Sequence, residues 1–292
     1  MNSILASLKN EYNRGSVVNK LIYFNIIVFI ILSVLNLFSY MFEVNINRQV
    51  KKFYLPSDLS VFVSQPWSLI SYMFLHNGLL HLFFNLIWLH FGGKLFLQYL
   101  NPKQLATTYF FGGICGGLLF IILYNYIPAF KLLSANALAV GSSASVYAIM
   151  IAIATYVPNY SIQIPFIGFL KLKYIAIFMI TMDIISIPKE NAGGHIAHLG
   201  GAIFGYIFIM QIRKGKDFSV IFSNFLRKLT NTFKPKSKLK TVHKRPKSDY
   251  EFNSAKVNTQ KEVDKILEKI ANSGYESLTK KEKSILFSAS KK

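Results

Sequence analysis

Charge is scarce in this 292-residue chain: charged side chains make up 16% of it, and 13 Asp and Glu face 33 Lys and Arg. With 52% hydrophobic residues and a positive mean hydropathy, a soluble globular protein with a polar surface is excluded. Cysteine occurs once, at Cys115, which rules out an intramolecular disulfide and a Cys-based metal cage. There is no phosphate-cradling glycine loop, no HExxH zinc motif and no internal repeat. No small-residue cleavage pattern follows the first apolar run, so that run is expected to remain as a membrane anchor.

What the chain has in quantity is apolar length. A helix that crosses the hydrocarbon of a bilayer needs about 20 mostly apolar residues, because it rises about 1.5 Å per residue through about 30 Å. Six stretches meet or approach this, near 21–42, 69–91, 104–126, 141–157, 170–187 and 195–212. The expected fold class is all-α: a polytopic bundle of six transmembrane helices followed by a basic helical tail. The domain division expected is a cytoplasmic segment 1–19, a membrane domain 20–212, a flexible basic linker 213–257 and a small helical tail 258–292.

Lysine and arginine give the orientation. With six spans both termini share one side, and the loops on that side, together with the termini, hold 28 of the 33 Lys and Arg. The other side holds Arg48, Lys51, Lys52, Lys131 and Lys189. Basic loops stay in the cytoplasm, so both termini are expected there, in a multi-pass protein of the cell (inner) membrane.

In that orientation spans two, four and six enter from the external face, and their first turns carry the polar residues. His76, His81 and Asn85 belong to span two, Gly141, Ser143 and Tyr147 to span four, and His195, His198, Gly201 and Gly205 to span six. A single serine in such a helix ordinarily serves packing, and a histidine at an interface ordinarily reaches headgroups; His76, His90 and His195 are read in that way or as supporting groups. Convergence of several polar groups at one depth points instead to chemistry, since a strongly polar side chain in hydrocarbon costs a few kcal/mol.

A serine hydroxyl is a weak nucleophile that needs a base and a place for the oxyanion. His198 can supply the base, and Ser143, in the first turn of its helix, lies where unpaired N–H groups favour a developing negative oxygen. Gly141 permits a tight turn ahead of it, and Tyr147 shares its helical face one turn on, where its ring can pack on an imidazole. His81 and Asn85 have the same spacing and can both donate to the oxyanion. Gly201 and Gly205 fall on the His198 stripe and allow close approach of span six to span four.

Three segments in order carry a family resemblance: PWSLISYMFLHNGLLHLFFNLIWLHFGG, GSSASVYA and AHLGGAIFG. Over residues 20–212 the chain resembles the rhomboid family of intramembrane serine proteases, with an HxxxN pair, a GxSG-type nucleophile turn and an AHxxGxxxG helix. The resemblance implies Ser143 as nucleophile, His198 as general base, His81 and Asn85 with the Ser143 N–H as oxyanion donors, and Tyr147 stacked on the base. It implies no cofactor and no metal, and transmembrane proteins as substrates. Position 144 is Ala where the family most often has Gly, and the loop 43–68 lacks the Trp-Arg pair of many members. Asp183, near the outer end of span five, is the nearest candidate for a third catalytic member, although an acid there can equally cap, pair or face water.

The tail carries 20 basic and 8 acidic residues from 214 onward. KPKSKLKTVHKRPK, residues 234–247, reads as a flexible basic linker drawn to anionic lipid, with no nucleic-acid partner expected because it lacks interleaved aromatics. Val263, Ile266, Leu267 and Ile270 then follow helical spacing up to Gly274, and Thr279 with Glu282 forms a capping-box pattern before Ile285, Leu286 and Phe287. This helical pair looks like a tail appended to some bacterial rhomboids. Two rival readings are a metal or haem protein with His81 and His198 as ligands, and a non-catalytic relative that binds or escorts client helices. The first leaves Asn85, Tyr147 and the Gly-Ser turn without a role; the second usually lacks the serine or the histidine, and this chain has both.

Overall fold

The computed structural model describes residues 15–131, 136–164, 168–189, 191–220, 222–224, 227–228 and 249–289. Residues 1–14 and the basic stretch 234–247 lie outside them. The chain divides into two compact units, residues 1–233 and 234–292.

The first unit is built on six helices: α1 (Val17–Met41), α2 (Leu79–Tyr99), α3 (Pro102–Tyr126), α4 (Ser143–Tyr156), α5 (Leu172–Ser186) and α6 (Ala192–Arg213). Among the described residues, α1, α2, α3 and α6 are long and apolar enough to cross a membrane, and α4 is a shorter apolar helix. Local chemistry sets the boundaries. Asn101 caps α3, accepting from the N–H groups of Lys103 and Gln104, while the Gln104 side chain accepts from the Asn101 N–H and Pro102 occupies the first turn. Asn191 caps α6 from a left-handed conformation, with its side chain accepting from the Gly194 N–H.

Two expectations change here. The stretch 69–91 is not one helix: short turns at Ser68–Ser71 and Tyr72–Phe74 give way to extended backbone at Leu75, and α2 starts only after Gly78. Asn77-Gly78 is a turn-forming pair that an average over apolar residues passes across, so His76 sits in the turn ahead of α2 instead of on it. The fold is also not purely helical. Leu55–Pro56 (β1) pairs antiparallel with Leu138–Ala139 (β2), and Ser161–Ile164 (β3) with Gly168–Lys171 (β4), the latter occupying the first residues read as span five.

The core lies where α3, α4 and α6 meet. A methyl group at Gly201 would run into the Ala144 carbonyl, one at Gly205 into the Ala148 carbonyl, and one at Gly116 would stand 2.6 Å from the Ala197 oxygen. The three backbones therefore touch, and no residue with a Cβ at those positions leaves α6 where it is. By contrast α1 buries only Val18, Leu21 and Asn25, and α5 only Leu172, Ile175 and Asp183; a few more pack partly against the core, and many of their other apolar side chains are exposed, as lipid-facing surfaces are.

The second unit pairs α7 (Asp249–Ser273) with α8 (Lys280–Ala289). Helix α7 begins inside the stretch expected to be linker: no Gly or Pro interrupts residues 249–273, and extending a helix is far easier than starting one. Gly274 ends it at φ +76°, with Ile266 and Leu278 buried between the helices. Glu282 accepts from the Thr279 N–H at 2.7 Å and from Lys269 Nζ at 3.0 Å, contacts that hold its carboxyl down to about 2.

A carboxyl lowered by folding contributes stability above its unfolded value, near 4.5, that is lost as pH falls towards about 2. Glu282→Gln is therefore expected to speed amide exchange over the first turn of α8 at neutral pH, measured by hydrogen–deuterium exchange on the full chain. For the core, Gly201→Ala is expected to cost about 1–3 kcal/mol through overpacking and lower the thermal midpoint in detergent. Gly78→Ala, whose methyl would meet nothing within 4 Å, is expected to leave the midpoint unchanged.

Candidate active site

The turn that presents Ser143 is held from three sides. The β1–β2 pairing fixes the chain at Leu138–Ala139, four residues before Ser143, the Gly141 N–H donates to the Tyr72 carbonyl at 2.9 Å, and Ser142 Oγ lies 3.2 Å from His76 Nε2. His76 is buried and so belongs to the scaffold of this turn, not to a membrane interface. Gly141 itself has φ +124°, a backbone that side-chain-bearing residues rarely adopt. A Cβ there would stand 2.8 and 2.9 Å from His81 Cε1 and Nε2 and 3.6 Å from Ser143 Oγ. The glycine is thus the gap through which His81 reaches the serine.

Ser143 is the first residue of α4, where backbone N–H groups have no intrahelical acceptor. Ser142 and Ser145 are fully buried on either side of it. The first bonds His76, whereas Ser145 Oγ is enclosed without a hydrogen-bond partner against Gly113 of α3.

A cavity of about 510 Å³ opens over this turn, and His81, Asn85, Gly141, Ser143, Tyr147 and His198 all line it. The Tyr147 ring stacks on the His198 ring, with centroids 4.3 Å apart and planes 15° from parallel. Among the described residues no hydrogen bond joins Ser143 to His198; such contacts commonly tighten once substrate is bound. The Asn85 amide donates to the His81 carbonyl one turn back at 2.8 Å, which fixes its orientation and leaves its second N–H available. Gly201 and Gly205 act one step removed, by letting α6 carry His198 up against α4.

Asp183, the nearest candidate for a third member, lies beside the base, and His195, read as a headgroup or supporting residue, joins it. Asp183 Oδ1 lies 3.0 Å from His198 Nδ1 and 2.7 Å from His195 Nδ1, with the carboxylate buried between α5 and α6. His195 is thereby tied into the site and is not a headgroup contact. The signals for this were faint: a lone acid in an apolar run and two histidines three residues apart. The same three residues each offer one ligand atom within 4.8 Å of the others, a donor set that could hold a metal ion. Both nitrogens, however, converge on a single oxygen at hydrogen-bond distance, which is how two donors share one acceptor. The pairing expected for a metal protein, His81 with His198, is not the cluster that forms.

Comparison with known proteins follows these motifs. Residues 63–215, just over half of the chain, match the Rhomboid domain, and residues 247–292 match a family of unknown function, DUF6576. The chain is similar to RHOMBOID-like protein 12, mitochondrial, of Arabidopsis thaliana, at 28% identity over 158 residues, 51% of this chain and 47% of that protein. It is also similar to Inactive RHOMBOID-like protein 8 of the same plant, at 38% identity over 63 residues, 22% of this chain and 18% of that protein. The chain thus spans less than half the length of these relatives.

Replacing Gly141 tests the geometry of the turn directly. Gly141→Ala both strains the backbone, by about 1–3 kcal/mol, and displaces the His81 ring. Its expected effect is a fall of about tenfold or more in the rate at which Ser143 reacts with a fluorophosphonate probe, read by gel fluorescence against the unaltered chain.

Proposed function

The chain belongs to the rhomboid family, and from that premise we propose that it is an intramembrane serine endopeptidase cleaving transmembrane-anchored proteins near the outer membrane face. The observation that carries this reading is the meeting of Ser143, His198, His81 and Asn85, from three helices, around one cavity with Tyr147 stacked on the imidazole. A multi-pass membrane protein follows from the family and the apolar helices. The finer topology proposed is six spans with both termini cytoplasmic, in the cell (inner) membrane, supported by the asymmetry of Lys and Arg between the two sets of loops.

In the proposed reaction His198 takes the proton of Ser143 Oγ as the oxygen attacks a peptide carbonyl. The tetrahedral oxyanion is held by His81, the free Asn85 N–H and the unpaired N–H groups at the start of α4. His198 returns the proton to the leaving amine, and water, activated by the same imidazole, hydrolyses the acyl-enzyme. Tyr147 confines the ring to one plane throughout. The substrate must offer an unpaired carbonyl, which a regular transmembrane helix does not, so segments weakened by Gly, Pro or Ser with small residues at the cleaved bond are the preferred class. The basic stretch 234–247 is proposed to lie against anionic lipid, at about 1 kcal/mol per basic residue near the surface.

Ser143→Ala is expected to abolish cleavage of a reporter transmembrane substrate in proteoliposomes while leaving the thermal midpoint of the purified protein within a few degrees. Labelling of the full chain by a fluorophosphonate should be lost in both Ser143→Ala and His198→Ala. Unchanged turnover in Ser143→Ala would defeat the protease reading and leave the non-catalytic binding role in its place.

A further inference from the structure

Ser143 and His198 are the two residues that nucleophilic catalysis needs here, yet neither fixes which nitrogen of the imidazole holds the proton. A neutral imidazole is a base only at the nitrogen that lacks hydrogen. If His198 carried its proton on Nε2 it could not accept the serine proton there, however well placed the ring.

We propose that Asp183 is a positioning residue that fixes His198 in the tautomer protonated at Nδ1 and offsets the positive charge it gains during the reaction, with His195 as a second donor that pins the carboxylate. This inference rests on the protease reading and extends it from a pair to a relay of four side chains. An ionised carboxylate accepts hydrogen bonds and donates none, so a nitrogen 3.0 Å from Asp183 Oδ1 must itself carry the hydrogen. His198 Nδ1 is that nitrogen, which leaves Nε2 with its lone pair. The same reasoning puts the proton of His195 on Nδ1, at 2.7 Å from the same oxygen.

Burial gives the contact its weight. Asp183 is 3% exposed and is the only acid buried among the described residues of the first unit. Oδ1 accepts from both histidines, Tyr147 lies close enough to act on the same carboxylate, and Oδ2 is buried without a hydrogen-bond partner, so removing either histidine leaves a buried charge shorter still of donors. His195 therefore has a task distinct from that of His198: it occupies a second lone pair of Oδ1 and stops the carboxylate from turning away when His198 becomes an imidazolium. The other titratable groups facing this cluster are Tyr147 of α4, whose ring covers His198, and His81 of α2 across the cavity. Neither can replace Asp183, because His81 has no negative form at working pH and Tyr147 is neutral.

The test compares the full chain with Asp183→Asn and Asp183→Glu in detergent or proteoliposomes. Asn keeps the shape, but its amide can donate to His198 Nδ1 and so favours the wrong tautomer. Asp183→Asn is expected to lower kcat by a hundredfold or more, with KM within about threefold. Asp183→Glu should recover at least tenfold of that loss in kcat with KM unmoved, which a merely structural role would not produce. A readout independent of variants and of turnover is the 15N spectrum of histidine-labelled protein, in which His198, assigned from its loss in His198→Gln, should show a protonated Nδ1 and an unprotonated Nε2 at neutral pH. A protonated Nε2, or Asp183→Asn turning over within threefold of the original, overturns the inference. Either result leaves the protease reading standing provided Ser143→Ala is inactive; activity in Ser143→Ala sinks that reading whatever Asp183 does.

Discussion

The whole arrangement depends on α4 and α6 touching along their backbones. At Gly201 and Gly205 the carbonyls of Ala144 and Ala148 fill the space that a Cβ would need. That contact fixes the distance between the two helices to within a few tenths of an ångström. Everything at the cavity inherits this distance: the stacking of Tyr147 on His198 at 4.3 Å is possible only because one turn of α6 lies directly against one turn of α4. In a bilayer there is little hydrophobic force between helices, so dispersion between closely fitted surfaces holds such a contact together. Small residues are therefore structural components here in their own right.

The serine turn depends on a glycine backbone, and it is clamped on several sides. Gly141 takes a conformation that other residues rarely adopt, and the chain around it is pinned by a short β-pairing, by the Tyr72 carbonyl and by His76. These clamps come from the segment between α1 and α2, about 70 residues earlier in the chain. That segment is thus a support for the first turn of α4.

Much of this was legible in the sequence, for a physical reason: periodic apolar runs and small-residue stripes are local signals. Of α1 to α6, five begin within about four residues of their expected positions, α2 being the exception. Its start was misplaced because hydropathy averages across Asn77-Gly78, where the backbone turns. The β1–β2 pairing and the role of His76 depend on partners more than 60 residues away, which no window detects. Ser143, His81, Asn85, Tyr147 and His198 could be singled out together because each is a polar residue in an apolar run near a helix start. Asp183 met the same criterion, but its significance lies in pointing at two rings on another helix, and direction is what a sequence withholds. The early start of α7 shows the converse, a helix extended by the mere absence of residues that stop one.

Helix α5 buries three residues against the rest of the bundle, and one of them is Asp183. The carboxylate travels with α5, while both imidazoles travel with α6. Any movement of α5 away from α6 must therefore stretch the two bonds to Asp183, and its return must remake them. Where α5 buries few apolar side chains, it is fastened to its neighbour by polar bonds, a kind of seam that holds direction as well as distance.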